Sequence, residues 1–188
     1  MRSAGIRLFY PELNPLPECV KAGILLEAGF DEVAPNRPCL ISSWAYESAV
    51  SSGLSDLTDN RAIDVACYEP GYTLVEKLQT ISTKFRRHRE TGELPQNYLR
   101  HFYDVYCLLD DVQVQAFIGS DAYLAHKDVR FPEADEKSLD RNEAFILSDQ
   151  GTRSLFEAAY KNTSALYYRE QPAFAALLDR IAANLHRL

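Results

Sequence analysis

The sequence has few cysteines, no long apolar run and no excess of basic residues, and each absence excludes a class of protein. Its four cysteines, Cys19, Cys39, Cys67 and Cys107, are far apart and form no C-x-x-C pair. Neither a disulfide framework nor a zinc site is therefore signalled, and we expect buried free thiols. No apolar stretch reaches the roughly 20 residues that span a bilayer, and the N-terminus lacks the sections of a signal peptide. We expect a cytoplasmic protein with no membrane partner.

The charge balance is acidic, with 20 Lys and Arg against 27 Asp and Glu and a formal net charge of -7. The surface as a whole should repel nucleic acid, so any contact with a polyanion must be local. The basic run KFRRHR at 84–89 is either a solvated helix end or a patch for RNA or nucleotide phosphates. A P-loop, a G-x-G-x-x-G motif and the residue order of a Ser-His-Asp triad are absent from the sequence.

The apolar pattern changes period near residue 70. Before it, period-2 runs predict strands at 5–13, 20–30 and 61–70, and the segment 40–53, ambiguous between strand and helix, is interpreted as a strand followed by a short helix. After it, helical spacing predicts helices from 71 to the TGELPQ run, at 95–109, 111–118, 120–128, 151–162 and 171–187, with a polar excursion from 132. Strands followed by helices predict an α+β fold, with a sheet region at 1–70 and a helical domain at 71–188.

The three clearest helices each carry an apolar stripe, which we expect to be buried. The stripes are Leu74, Leu78, Ile81 and Phe85; Leu99, Phe102, Tyr106 and Leu109; and Phe174, Leu177, Leu178, Ile181 and Leu185.

Two charged residues stand close to predicted apolar surfaces. Glu27 lies near the end of the apolar strand 20–30, where a buried unpaired carboxylate would cost several kcal/mol. It therefore either faces water on a half-buried sheet or meets a cation or metal. Lys77 flanks the first helical stripe, where it can extend its ammonium to water or act as a point-charge ligand for a phosphate at the edge of a cleft. Glu76, further round the helix, is expected to be solvated.

Arg100 and Asp104 are four residues apart on the next helix, and so are neighbours on its surface. As an exposed pair they would contribute only about 0.3 to 0.5 kcal/mol to stability. Since Cys107 and Leu108 adjoin them, the pair can instead lie in a cleft between two layers. The group His126, Lys127 and Arg130 is interpreted as structural.

Several of these segments resemble the nucleotidyltransferase toxins of AbiEii/AbiGii type, found in abortive-infection toxin-antitoxin pairs. EPGYTLVEKLQTI (69–81) resembles their proline, aromatic-Thr and Glu-Lys motif, RHFYDVYCLL (100–109) their Arg-x-x-x-Asp helix, LLEAGF (25–30) their acidic strand, and AHKDVRFP (125–132) their His-Lys stretch. The tail, from EAAYKN at 157 through residue 181, is similar to their terminal helices. The likeness keeps the motif order over nearly the whole chain.

One family motif has no match. Family members normally carry a Gly-Ser motif followed by paired aspartates, which resembles the metal-binding signature of polymerase-beta-like transferases. No Gly-Ser and no Asp precede Glu27, so the Gly-Ser-Asp-x-Asp motif is lacking. The chain is then a C-terminal portion of a longer product, a degenerate member, or a chain whose missing strands come from a partner.

The resemblance implies a fold, a site and ligands. The fold is an N-terminal mixed sheet remnant of a nucleotidyltransferase-like fold followed by a C-terminal helical bundle, with the site in a cleft between the sheet and the helices beginning at 71 and 95. The implied cofactors are Mg²⁺ and NTP, which carboxylates and cations hold in such transferases. Glu27 would be a metal carboxylate, Lys77 a catalytic phosphate ligand, and Asp104 a base or positioning group with Arg100 as its partner.

Two functions follow from the resemblance. One is a nucleotidyltransferase toxin, or its C-terminal portion, that moves a nucleotide from an NTP to RNA or protein, with a cognate antitoxin as partner. The alternative is a catalytically inactive, truncated homologue that acts as a nucleotide- or partner-binding module, which the missing aspartate pair and the acidic charge favour.

Overall fold

The computed structural model describes residues 3–11, 15–16, 21–31, 33–95, 97–167 and 170–188. The chain divides into two compact units, one made of residues 1–30 with 70–188 and the other of residues 31–69. The described elements are β1 (Ser3–Leu8), β2 (Ile24–Gly29), β3 (Asn36–Ile41), α1 (Trp44–Ser51), β4 (Ala62–Tyr68), α2 (Pro70–Thr91), α3 (Arg100–Leu108), α4 (Val112–Phe117), α5 (Asp121–Arg130), α6 (Glu143–Ile146), α7 (Gln150–Lys161) and α8 (Phe174–Asn184), with a 3-10 turn at Ser164–Leu166. This confirms the α+β class. The division into a sheet region and a helical domain at residue 70 stays a prediction.

The described strands form two antiparallel pairs rather than one mixed sheet. β1 pairs with β2 from Ser3 opposite Gly29 to Leu8 opposite Ile24. β3 pairs with β4, with a register irregularity between Cys39 and Ile41. The two strands of each sheet run antiparallel. The chain can therefore pass from one strand to the next without the crossover connection that a parallel pair requires.

The ambiguous segment 40–53 contains a strand end followed by a helix, as predicted. β3 ends at Ile41, and the Ser43 hydroxyl oxygen then accepts a hydrogen bond from the backbone N–H of Tyr46 at 3.1 Å. This N-cap satisfies one of the free donors at the start of α1.

The core of the larger unit is built on α2. This helix begins at Pro70, whose missing N–H costs nothing at a first helical position. All four predicted stripe residues of α2 are buried, as are the first four of α8, while Leu185 is only partly buried. Periodicity alone therefore identifies the buried faces of these two helices.

The predicted stripe of α3 needs one correction. Leu99, Phe102 and Leu109 are buried, but Val105 takes the buried place expected for Tyr106. The Tyr106 ring instead lies against the Arg180 guanidinium of α8, 3.6 Å from the ring centroid. Such a cation–π contact suits a partly exposed aromatic ring.

α3 is also shorter than the predicted helix 95–109. It begins at Arg100, because Asn97 adopts a left-handed backbone conformation with φ of 57° and residues 97–99 form a turn. Asn tolerates this conformation better than other side chains do, and it interrupts a helix. The Tyr98 hydroxyl in this turn donates to the Ile81 carbonyl of α2 at 3.1 Å, which fixes the start of α3 against α2.

The polar excursion from residue 132 is held on α2 by buried side chains. The Asp135 carboxylate accepts hydrogen bonds from Thr83 and from Arg86 Nε, the latter at 2.6 Å. The Asn142 amide donates to Ser82 Oγ at 2.9 Å, and its oxygen accepts from the Ala144 N–H to cap α6. Because these polar groups are buried and satisfied, an irregular segment packs as part of the core.

The cysteine prediction is partly wrong. Cys39, Cys67 and Cys107 are free, but the first two are only half-buried and Cys107 is exposed. Cys107 lies about 200° around α3 from the buried Val105, at 100° per residue. Cys19 lies outside the described residues. In the ranges that the structure describes, no helix has both the length and the apolar character needed to cross a membrane.

Candidate functional site on the seam between α2 and α3

A half-buried ion pair joins α2 to α3. Lys77 Nζ donates to Asp104 Oδ2 at 2.7 Å, and the two side chains are 30% and 33% exposed. Two of the predicted site residues therefore meet, across a sequence distance of 27 residues. The pair is sheltered on one side by the core and open to solvent on the other.

The prediction that Arg100 and Asp104 form an ion pair is wrong. Within the described residues, Asp104 has Lys77 and His101 as its charged or titratable partners, and no ion pair joins it to Arg100. Since Asp104 turns toward the ammonium on α2, Arg100 in the first turn of α3 is left exposed. Arg100 is still close enough to Lys84 for its charge to lower the pKa of that ammonium.

His101 lies between the carboxylate and a second lysine. Its Nε2 is 3.0 Å from Lys84 Nζ, and its Nδ1 is 3.6 Å from Asp104 Oδ2. The second distance is within ion-pair range but too long for a hydrogen bond, so Nδ1 is a buried atom without a hydrogen-bond partner. We call the four residues Lys77, Lys84, His101 and Asp104 the α2–α3 cluster.

The surroundings of His101 favour its neutral form. Burial is the main cause that lowers the pKa of His101 below its ordinary 6.5, and the charges of Lys84 and Lys77 act in the same direction against the raising effect of Asp104. A neutral imidazole has one donor and one acceptor nitrogen. With the ammonium of Lys84 at Nε2, the contacts assign the acceptor to Nε2 and the proton to Nδ1, facing Asp104.

The pKa values of Asp104 and Lys84 are both lowered, which favours the charged form of the carboxyl and disfavours the charged form of the ammonium. Burial would raise the pKa of the Asp104 carboxyl, but His101 and the Lys77 ammonium outweigh it and hold the pKa below the ordinary 3.8. Burial, followed by the charges of Arg100 and Lys77, lowers the pKa of Lys84 from its ordinary 10.5. Within the described part of the chain, Asp104 is thus the one carboxylate of a seam that holds Lys77 and Lys84, with Arg100 near Lys84, which makes this seam locally cationic in a chain of net charge -7.

Glu27 does not join this group. It lies exposed in β2 opposite Gly5. Among the residues that the structure describes, no three His, Cys, Asp or Glu side chains come together as a metal-binding group. Since Mg²⁺ is held in proteins by convergent carboxylate oxygens, the described residues do not fit the Mg²⁺ site that the resemblance implies.

A second charged cluster joins α2 to α5. Glu76, expected to be solvated, is only 21% exposed and accepts hydrogen bonds from Arg130 Nη2 and, at 3.1 Å, from His126 Nε2. The His126 ring also meets Tyr72 edge-on, at 4.8 Å between ring centroids. These contacts join α5 to α2, and the interpretation of His126 and Arg130 as structural stays a prediction.

The basic run 84–89 is divided among several partners rather than forming one patch. Arg86 pairs with Asp135 and Glu90, and His88 contacts the Glu93 carbonyl and the Phe156 ring. Lys84 alone joins the α2–α3 cluster. A signal for it existed in the sequence: Lys84 is seven residues after Lys77, hence on the same helix face, and His101 is three residues before Asp104.

The comparisons with known proteins give one match. A family model described as "Nucleotidyl transferase AbiEii toxin, Type IV TA system" matches residues 2–180. The searches of curated proteins and of solved structures return no match. The model spans β1 through most of α8 and includes every member of the α2–α3 cluster. The chain therefore belongs to the AbiEii family of nucleotidyl transferase toxins from type IV toxin-antitoxin systems.

Proposed function

We propose that the chain moves a nucleotide from an NTP to a hydroxyl group of an RNA or protein acceptor, in the cytoplasm, with the α2–α3 cluster as the triphosphate site. Family membership implies a toxin with a cognate antitoxin. The observation that best supports the site is the half-buried Lys77–Asp104 pair beside two further cations in an acidic chain. A local excess of positive charge is what a triphosphate requires.

Lys77 is the first phosphate ligand in this proposal. Its ammonium is held at 2.7 Å by a carboxylate, so it is already oriented before a nucleotide arrives. An oriented charge on a partly desolvated surface loses less entropy on binding than a flexible surface lysine does. Since an ammonium has three donor hydrogens, Lys77 can donate to triphosphate oxygens while it keeps its bond to Asp104.

Asp104 acts as a positioning group and weak base toward the acceptor. Its depressed pKa makes it a poor base while Lys77 is bound to it. When the anionic triphosphate shares the Lys77 ammonium, the carboxylate is less stabilised by that cation and becomes more basic. The acceptor oxygen then bonds to the α-phosphorus, the bond from that phosphorus to the pyrophosphate oxygen breaks, and the hydroxyl proton passes to Asp104.

The direct test is label transfer by the purified chain. The chain is incubated with each NTP radiolabelled at the α-phosphate, with and without Mg²⁺, together with total RNA and soluble protein from bacterial cells. Label should enter one acceptor class, and Lys77→Met and Asp104→Asn should each lower transfer about tenfold or more, as loss of a charge-assisted contact or a proton acceptor does.

The matched control is Lys161→Met. Lys161 is 72% exposed and pairs with Glu157 on the surface of α7, so its loss removes one positive charge outside the cluster. Transfer should be unchanged in this variant. If the wild-type chain transfers label and both Lys77→Met and Asp104→Asn transfer it equally well, the roles assigned to these residues are refuted.

A second candidate function is nucleotide binding without transfer. It is favoured by the lack of a three-ligand metal group in the described ranges of the chain. Calorimetry separates the two candidates: heat on adding NTP that Lys77→Met abolishes, together with no label transfer in extracts, indicates the binding module. Transfer that depends on Lys77 indicates the enzyme.

A further inference from the structure

The α2–α3 cluster contains a buried histidine that the proposed transfer does not use. His101 is 8% exposed, contacts a lysine through one nitrogen, and turns the other, unpaired nitrogen toward a carboxylate. A buried imidazole without full hydrogen bonding has a cost that the fold must offset elsewhere. It lies between two charged groups of opposite sign, Lys84 and Asp104.

Lys84 depends on this histidine for its orientation. Among the described contacts, the hydrogen bond of Lys84 is to His101 Nε2 and not to a carboxylate, so its positive charge is not neutralised within the cluster. Lys84 follows Lys77 by two helical turns, a rise of about 10 Å along one face of α2. Two long lysine side chains at this spacing can both contact one polyphosphate.

We propose that His101 is a positioning residue, whose neutral imidazole holds the Lys84 ammonium beside Lys77 as a second phosphate-binding group. This inference rests on the proposed triphosphate site and adds to it a second cation and the residue that aims it. Lys84 approaches the ligand as an oriented donor, since His101 Nε2 accepts one of its three ammonium hydrogens and leaves two for phosphate oxygens.

The arrangement has a consequence for pH. The charged groups that act on His101 are Lys77 and Lys84 from α2 and Asp104 from α3 itself, and Arg100 of α3 acts in turn on Lys84. From α8, which also packs on α3, the basic side chain that reaches α3 is Arg180, bound to Asp110 and the Tyr106 carbonyl at the far end of the helix.

Protonation of His101 should therefore release Lys84. When Nε2 takes a proton it can no longer accept a hydrogen bond, and two cations then stand 3.0 Å apart. Because burial and the two neighbouring lysines lower the pKa of His101 from its ordinary 6.5, the release occurs in acidic solution and not at neutral pH.

The experiment measures binding of inorganic tripolyphosphate to the full chain by calorimetry, without metal, from pH 8 down to pH 5. At pH 8, Lys84→Gln should weaken binding about tenfold, equal to about 1.4 kcal/mol. Arg87→Gln is the matched control, since Arg87 is an exposed cation of the same helix outside the cluster, and it should bind as the wild type does.

Two variants of His101 separate positioning from packing. His101→Gln supplies an amide oxygen near the place of Nε2 without a titrating group, so at pH 8 it should bind nearly as the wild type does. His101→Leu keeps an apolar side chain but has no acceptor, and it should lose about as much affinity as Lys84→Gln. Thermal unfolding of each variant checks that the fold is kept.

The pH dependence of tripolyphosphate binding is the measurement that a purely structural role of His101 would not affect. The ligand's own titration is common to all variants, so the ratio of wild-type to His101→Gln affinity isolates His101. This ratio should fall as the pH drops through the pKa of His101. Equal binding by Lys84→Gln and wild type, a ratio that stays constant while the His101 imidazole takes up its proton, or absence of tripolyphosphate binding by the wild type would each overturn the inference.

The outcome is independent of label transfer. If the chain transfers label and Lys84→Gln transfers it equally well, the inference is refuted and the proposed function stands. If tripolyphosphate binding requires Lys84 and His101 but the chain transfers no label, the inference is supported and the proposed transferase activity is refuted.

Discussion

The Lys77–Asp104 pair should stabilise the chain more than a surface ion pair does, and a double-mutant cycle measures by how much. The variants are Lys77→Met, Asp104→Asn and the combination of the two. At 2.7 Å the Coulomb energy of two unit charges is about 1.5 kcal/mol at the dielectric constant of water and about 6 kcal/mol at an effective value of 20. Both side chains are about one-third exposed, so desolvation and lost side-chain entropy offset most of the larger value.

We expect a coupling energy of about 1 to 2 kcal/mol, above the 0.2 to 1 kcal/mol typical of exposed pairs. Urea unfolding followed by far-UV circular dichroism is the assay, because the signal comes mainly from the helices. The Asp104 carboxyl has a folded pKa below its unfolded value of 3.8, so its contribution is complete well above pH 3.8 and is lost as the pH falls through the folded pKa. A coupling energy near zero at neutral pH would show that the Lys77–Asp104 pair is as fully solvated as an exposed surface pair. It would refute the prediction that partial burial strengthens this pair.

Two further predictions concern the packing of α2. Gly71→Ala should destabilise the fold by about 1 to 3 kcal/mol in the same urea assay, because the new Cβ would lie 2.5 Å from the Phe117 ring, whereas Gly29→Ala, with nothing within 4 Å, should not clash. Glu76→Gln should cost about 1 to 3 kcal/mol in thermal unfolding, because it removes the carboxylate charge that the side chains of His126 and Arg130 share. The control Glu157→Gln removes an exposed pair and should cost under about 0.5 kcal/mol. Equal effects of Glu76→Gln and Glu157→Gln, or of the two glycine substitutions, would contradict these predictions.

The buried faces could be predicted from the sequence because helical periodicity is a local property. Leu74 and Leu78 are four residues apart and both fully buried, as the spacing predicts. Tyr106 was the exception, and the reason is not local: an arginine from α8, more than 70 residues later, provides a surface for its ring outside the core.

The partners of the charged residues could not be predicted in the same way. Spacing along α3 suggested that Asp104 pairs with Arg100, but the carboxylate turns to a lysine on another helix, which only the packing of α2 on α3 brings near. Glu76 was expected in solvent for the same reason, since nothing near it in the sequence announces the approach of α5. A helical wheel gives the direction of a side chain and not what lies in that direction.

The side chains of Glu76 and Lys77 adjoin in sequence but are tied to different helices, α5 and α3. One inserted or deleted residue rotates everything after it by about 100° around the helix axis. Such a change on either side of this pair would therefore move both anchors together relative to the apolar residues of α2 that lie beyond the change. Insertions and deletions in this family should therefore be tolerated in the connections between helices and excluded from the first three turns of α2. The register of α2 thus determines where both α3 and α5 can bind to it.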